Sequence, residues 1–159
     1  MQKINVFSLL FTLWLFIGSL ANAQVKKLEV RNKSGCEVHY QILTSVMSPS
    51  PVCGVGYTST VISIPPGGYA QFYSDAVPSA PDYIPGMPTG YVGYILAAKI
   101  IDAPMSCVSL GVLVGEASCG FSAFGTLPMV SDFNCNPCSP IDFKWYDISP
   151  LLHSELVIY

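Results

Sequence analysis

The 159-residue chain is 51 % apolar, only 11 % charged, and carries a formal net charge of −3. So few basic residues leave no cationic face of the kind nucleic acid requires, and the length bounds the chain to one domain with room for a real core.

Residues 1–23, MQKINVFSLLFTLWLFIGSLANA, open with Lys3, continue with an apolar run from Val6 to Ile17, and end in Ala21-Asn22-Ala23. A basic start, a short apolar stretch and a small-x-small end are the parts of a secretory signal peptide. The run falls short of the roughly 20 residues a membrane span needs. The expectation is therefore a mature domain of residues 24–159, secreted to the periplasm or the extracellular space, with no transmembrane span after cleavage. All six cysteines, Cys36, Cys53, Cys107, Cys119, Cys135 and Cys138, lie in that mature part. An even count in an exported chain argues for disulfides. Cys36 and Cys53 flank one candidate strand and its loop and are expected to pair. Cys107, Cys119, Cys135 and Cys138 are then expected to form two bridges among themselves.

The mature chain reads as strands and turns. KKLEVRN alternates, with Leu28 and Val30 on one face and Lys27, Glu29 and Arg31 on the other. CEVHYQIL does the same with Val38, Tyr40 and Ile42, and NKSG between them is turn chemistry. Period two marks half-buried strands, and the pair is expected as an antiparallel hairpin. Residues 57–74, TSTVISI and YAQFYS around PPGG, are expected as a second hairpin. Ser74–Gly90 holds Pro78, Pro81, Pro85 and Pro88, too many for a helix interior or a central strand. So long a connection in a compact domain is usually functional or mobile. YVGYILAAKII, apolar on both sides, fits a central strand covered on both faces, with a short buried helix as the alternative. CVSLGVLVG, IDFKWYDI and ELVIY add further strands, with Ile141, Phe143 and Trp145 facing the core. The expected fold is all-β: a two-layer antiparallel β-sandwich stapled by disulfides, with a small closed barrel as its competitor. A transmembrane barrel is disfavoured by the cysteines, the proline-rich loop and the shortness of most strands.

The motifs that suggest chemistry are thin. NCNPC (Asn134–Cys138) has the spacing of a redox dithiol, but that chemistry needs a helix N-terminus behind the first cysteine. Here an alternating segment follows. Zinc would want a second close pair of ligands, and none exists. His39 falls beside Glu37 and Gln41 on what reads as a solvated face, and His153 precedes the last strand. Neither belongs to a G-x-S-x-G elbow or a glycosidase carboxylate pair; Asp142 and Asp147 fall on opposite strand faces. Asn32-Lys33-Ser34 matches the N-glycosylation pattern in a predicted turn. No catalytic, cofactor-binding or metal-binding residue is assigned, and no cofactor is expected.

LEVRNKSGCEVHYQI followed by VISIPPGGYAQFY resembles small secreted bacterial β-sandwich proteins of unassigned function. The resemblance implies the fold and the export route, and no ligand residues. Tyrosine is abundant, and its rigid ring with a polar tip suits recognition of proteins or sugars. The expected function is a non-catalytic, secreted binding or surface-interaction module for a protein or glycan partner, with self-association as a further role for its apolar surface. Pro81, Tyr83, Ile84, Met87 and Tyr91 form the candidate partner-binding loop, whose alternative is to fold back as a lid. The competing functions are an exported thiol-disulfide oxidoreductase using Cys135 and Cys138, and a protease inhibitor presenting residues 74–90.

Overall fold

The computed structural model describes residues 27–46, 53–91, 93–102, 111–131, 136–138, 140–149 and 152–159. The candidate signal peptide, Cys107 and Cys135 lie outside the described residues.

Among the described residues twelve strands follow in chain order: β1 (Lys27–Asn32), β2 (Val38–Val46), β3 (Tyr57–Thr58), β4 (Ile62–Ile64), β5 (Tyr69–Tyr73), β6 (Gly93–Ile101), β7 (Gly111–Gly115), β8 (Phe124–Leu127), β9 (Val130–Ser131), β10 (Pro137–Cys138), β11 (Ile141–Ser149) and β12 (His153–Ile158). One sheet has the order β5-β1-β12-β11-β8. The second runs β3-β2-β6-β7, with β4 also on β2, and β9 and β10 make a small ribbon. The sheets stay open, so the barrel alternative falls. Among the described residues no helix is long and apolar enough to cross a membrane.

The two sheets face each other across one core. Leu28, Val30, Phe72, Phe143, Trp145 and Leu156 come from the first sheet, and Val38, Tyr40, Ile42, Ala98, Ile100 and Val114 from the second. These are the inward positions of the period-two pattern. Tyr40 meets Phe72 edge-to-face across the layers at 6.5 Å. β6 is a strand, not the buried helix, and is covered on both sides. Ala98 and Ile100 face the main core. Tyr94, Leu96 and Ala97 pack with Leu43 under Cys119 and Phe121 on the other side.

The two predicted hairpins do not form. β1 and β2 belong to different sheets, as do β4 and β5. β1 has both ladder edges filled, by β5 antiparallel and by β12 parallel, so β2 cannot join it. The parallel β1–β12 pair also departs from a wholly antiparallel arrangement. The second crossover is a tight turn. Gly68 N–H donates to Pro65 O at 2.9 Å, and Gly67 sits at φ 70°, the left-handed position that a type II turn after Pro66 reserves for glycine.

Asn32 joins both crossovers. Its side chain is 1 % exposed. Nδ2 donates to the carbonyls of Cys36 at 2.7 Å, Ile64 at 3.0 Å and Pro65 at 3.1 Å, and Oδ1 accepts from Ser34 N–H and Oγ. The glycosylation reading of Asn32 is corrected here: the amide a glycan would need is buried and engaged.

The expected cysteine pairing is corrected too. Cys36 bonds Cys138 and Cys53 bonds Cys119, with Cα separations of 6.1 and 5.1 Å. Neither the Cys36–Cys53 bridge nor two bridges confined to the last four cysteines survives. Spatial neighbours decide the pairing: the β1–β2 crossover lies against the β9–β10 ribbon, and residue 53 lies against the turn that covers β6.

Candidate functional site

Alternation along β1, β5, β8, β11 and β12 sends one set of side chains into the core and the other set onto the outer face of the first sheet. Register then aligns the outer set into rows. The first row runs Phe124, Lys144, Val157, Arg31, Tyr69 across all five strands. The second runs Tyr146, Glu155, Glu29, Gln71, and the third Ser149, His153, Lys27, Tyr73. At ~4.8 Å per strand the first row spans ~19 Å. Phe124 is 71 % and Tyr69 52 % exposed at its two ends, and Tyr146 and Tyr159 are also exposed. Val157 in the middle is buried, although it lies on the outer face between Arg31 and Lys144; long basic side chains cover apolar surface in this way with their aliphatic stems.

The rings are held by cations. Arg31 lies 5.2 Å from the Tyr69 ring centroid, Lys27 5.8 Å from Tyr73, and Lys33 and Lys144 5.5 and 5.9 Å from Tyr159. Cation–π contacts of this range hold a ring without covering its hydroxyl tip. The Tyr146 and Tyr159 hydroxyls are 3.4 Å apart, and this hydrogen bond is the main reason the Tyr146 hydroxyl titrates above its usual range.

The centre of the face is an ion-pair network. Lys27 Nζ and Arg31 donate to Glu29 at 2.6 and 3.1 Å, and Arg31 Nε meets Glu155 at 2.6 Å. His153 Nε2 lies 3.4 Å from Glu29 Oε1. The hydrogen bond from Lys27 holds Glu29 below the usual carboxylate pKa, against the upward push of its partial burial. Such a face offers stacking surface, hydroxyl tips and fixed charge, which is the chemistry of recognition.

The loop expected to bind a partner is placed differently. Ile84 and Met87 are buried in the main core, with Tyr83 and Tyr91 packed against it. Tyr83 Oη donates to Met87 O, Thr44 Oγ1 donates to Tyr91 Oη at 3.2 Å, and Pro81 is exposed. Tyr73 N–H donates to Asp82 O and Thr60 N–H to Pro85 O, each at 3.0 Å. The segment thus closes the seam between the β5 edge of one sheet and the β3–β4 edge of the other. It is the lid alternative that holds, and the expected display of Ile84 and Met87 is corrected: the open seam demands apolar side chains.

The remaining candidates are structural. His39, read as a solvated surface residue, is fully buried, and its Nδ1 is 2.8 Å from Ser63 Oγ. Cys138 stands on a strand and bonds Cys36, not at a helix N-terminus. Trp145 is a core residue; its Nε1 donates to Asp147 at 2.9 Å, as does Ser154 Oγ at 2.8 Å. Asp142 instead accepts from Thr126 Oγ1 at 2.6 Å.

Sequence reasoning placed Lys27, Glu29 and Arg31 on one strand face, but it did not gather them with the exposed rings into a site. Their signal was the abundance of tyrosine together with the outward positions of five strands, but only register reveals which of them share a row. Comparison with known proteins finds no matching family model, no matching curated relative and no matching solved structure.

Proposed function

We propose that this protein is a secreted, non-catalytic recognition module whose binding surface is the outer face of the β5-β1-β12-β11-β8 sheet. One observation carries the reading. Tyr69, Tyr73 and Tyr159 are each fixed beside a Lys or Arg on that face, and Phe124 and Tyr146 stand exposed among them. Aromatic side chains left in water on one side of a sheet are an unusual use of apolar area unless something covers them. Rigid rings with polar tips lose little conformational entropy on binding, which favours them as anchors. The thiol-disulfide and inhibitor readings draw less support, because Cys138 is bonded to Cys36 and Ile84 and Met87 are in the core.

The test is a glycan and protein array probed with the wild-type protein and with the triple variant Tyr69→Ala, Phe124→Ala, Tyr146→Ala. All three positions are exposed, so the variant keeps its fold, and circular dichroism checks this. The reading expects specific spots for the wild type that vanish in the variant. Spots of equal strength for both proteins would contradict it.

A further inference from the structure

The charges of the recognition face divide into two groups. Lys27 and Arg31 are neutralised by Glu29 and Glu155. Lys33 and Lys144 make no ion pair among the described residues, yet both ammonium groups gather at the Tyr159 ring. The chain has ten acidic and seven basic side chains, so carboxylates are in excess, and still these two cations share one ring and have no ion-pair partner among the described residues. Next to them is a cavity of about 360 Å³, lined by Lys33, Ser34, Cys36, Cys138, Ile141 and Tyr159, which lies within the range of small-ligand sites. The bonded Cys36 and Cys138 form part of its wall. On the far side of Lys144, its register partner Phe124 offers an open ring, and the hydroxyls of Tyr146 and Tyr159 complete the group.

We infer that the Lys33–Lys144–Tyr159 corner binds the acidic group of an anionic saccharide, a uronate carboxylate or a sugar sulfate, while Phe124 and Tyr146 stack against its sugar rings. The inference rests on the recognition-face reading and names the ligand class. An ammonium group on Lys33 or Lys144 supplies charge-assisted hydrogen bonds to the acid. The apolar face of a pyranose covers an exposed ring, and its hydroxyls meet the tyrosine tips. An acidic peptide fits less well. At Lys144 β11 is paired on both sides, with Val157 of β12 and Phe124 of β8, so an extended chain has no free ladder to join there.

The test titrates the full secreted protein by calorimetry with galacturonic acid trisaccharide, a sulfated galactose trisaccharide, the neutral galactose trisaccharide and a poly-glutamate peptide, each at low and high salt. Either acidic sugar is expected to bind roughly tenfold or more tightly than the neutral one, a difference of about 1.4 kcal/mol, and to weaken as salt screens the lysines. Lys33→Gln with Lys144→Gln is expected to abolish that difference and the salt dependence. Phe124→Ala is expected to weaken every sugar. Acidic and neutral sugars binding alike, with the lysine variant silent and Phe124→Ala still weakening both, would overturn the anionic specificity and leave the recognition face standing. Poly-glutamate binding as tightly as the sugars would overturn the saccharide class. No binding of any probe would overturn this inference, and the array comparison with the triple variant would then decide separately whether the face recognises anything.

Discussion

Asn32 Nδ2 lies 2.7 Å from the carbonyl of Cys36, so a side chain at the end of β1 holds the turn that carries the chain into the opposite sheet. The same amide reaches Ile64 and Pro65, at the other place where the chain changes sheets. Two crossovers that no hairpin ladder supports are thus closed by one buried carboxamide. Asn32→Ala would leave three carbonyls short of a donor. The expected cost is about 2–4 kcal/mol, read as a lower urea midpoint with unchanged slope. Material secreted from a glycosylating host is expected to carry no glycan at Asn32, which intact mass reports directly.

The disulfides close loops with sequence separations of 102 and 66 residues, long enough for each to restrict the unfolded chain by about 4.5 kcal/mol in the chain-entropy view. Non-reducing digestion is expected to yield the Cys36–Cys138 and Cys53–Cys119 peptides. A linked Cys36–Cys53 peptide would contradict the fold. Replacing Cys36 and Cys138 together by Ala is expected to lower stability by roughly 3–5 kcal/mol.

Tyr40 is fully buried, and its hydroxyl has no hydrogen-bond partner among the described residues. Burial pushes that hydroxyl far above the ordinary tyrosine pKa. A buried hydroxyl without a partner is a net cost. Tyr40→Phe keeps the edge-to-face contact with Phe72 and removes the cost, so it is expected to raise stability by up to about 1 kcal/mol. Thermal unfolding checks the sign.

The network around Glu29 sets an acid limit. Its pKa is lower in the folded protein than in the unfolded chain, chiefly through the hydrogen bond from Lys27. Its contribution is therefore present above the unfolded value, about 4.3 for glutamate, and fades as pH falls through the lower folded value. The melting temperature is expected to drop over that window, and Glu29→Gln is expected to flatten the drop while lowering stability at neutral pH.

Local pattern revealed much of this architecture and little of its wiring. Leu28, Val30, Ile141, Phe143 and Trp145 point inward as their alternation indicates, because period two is a property of the strand itself. The hairpins were misread because short turn-rich links such as Asn32–Cys36 and Pro65–Gly68 serve equally to reverse within a sheet or to cross between sheets. Which occurs depends on remote partners such as β12, which begins more than a hundred residues after Asn32. His39 is buried although its neighbours Glu37 and Gln41 suggest solvent, because its partner Ser63 is remote in sequence. The row on the outer face was illegible for the same reason: Phe124, Lys144 and Tyr69 share it only through four successive strand pairings.

The central claim is that recognition uses the outer face of the five-stranded sheet, not the 74–90 segment. The most direct measurement is NMR of the protein with isotope-labelled Tyr and Phe rings, titrated with a ligand taken from the array. The account predicts shifts for Phe124, Tyr146, Tyr159 and Tyr69, with Tyr83 and Tyr91 unmoved. Shifts confined to Tyr83 and Tyr91 would contradict it.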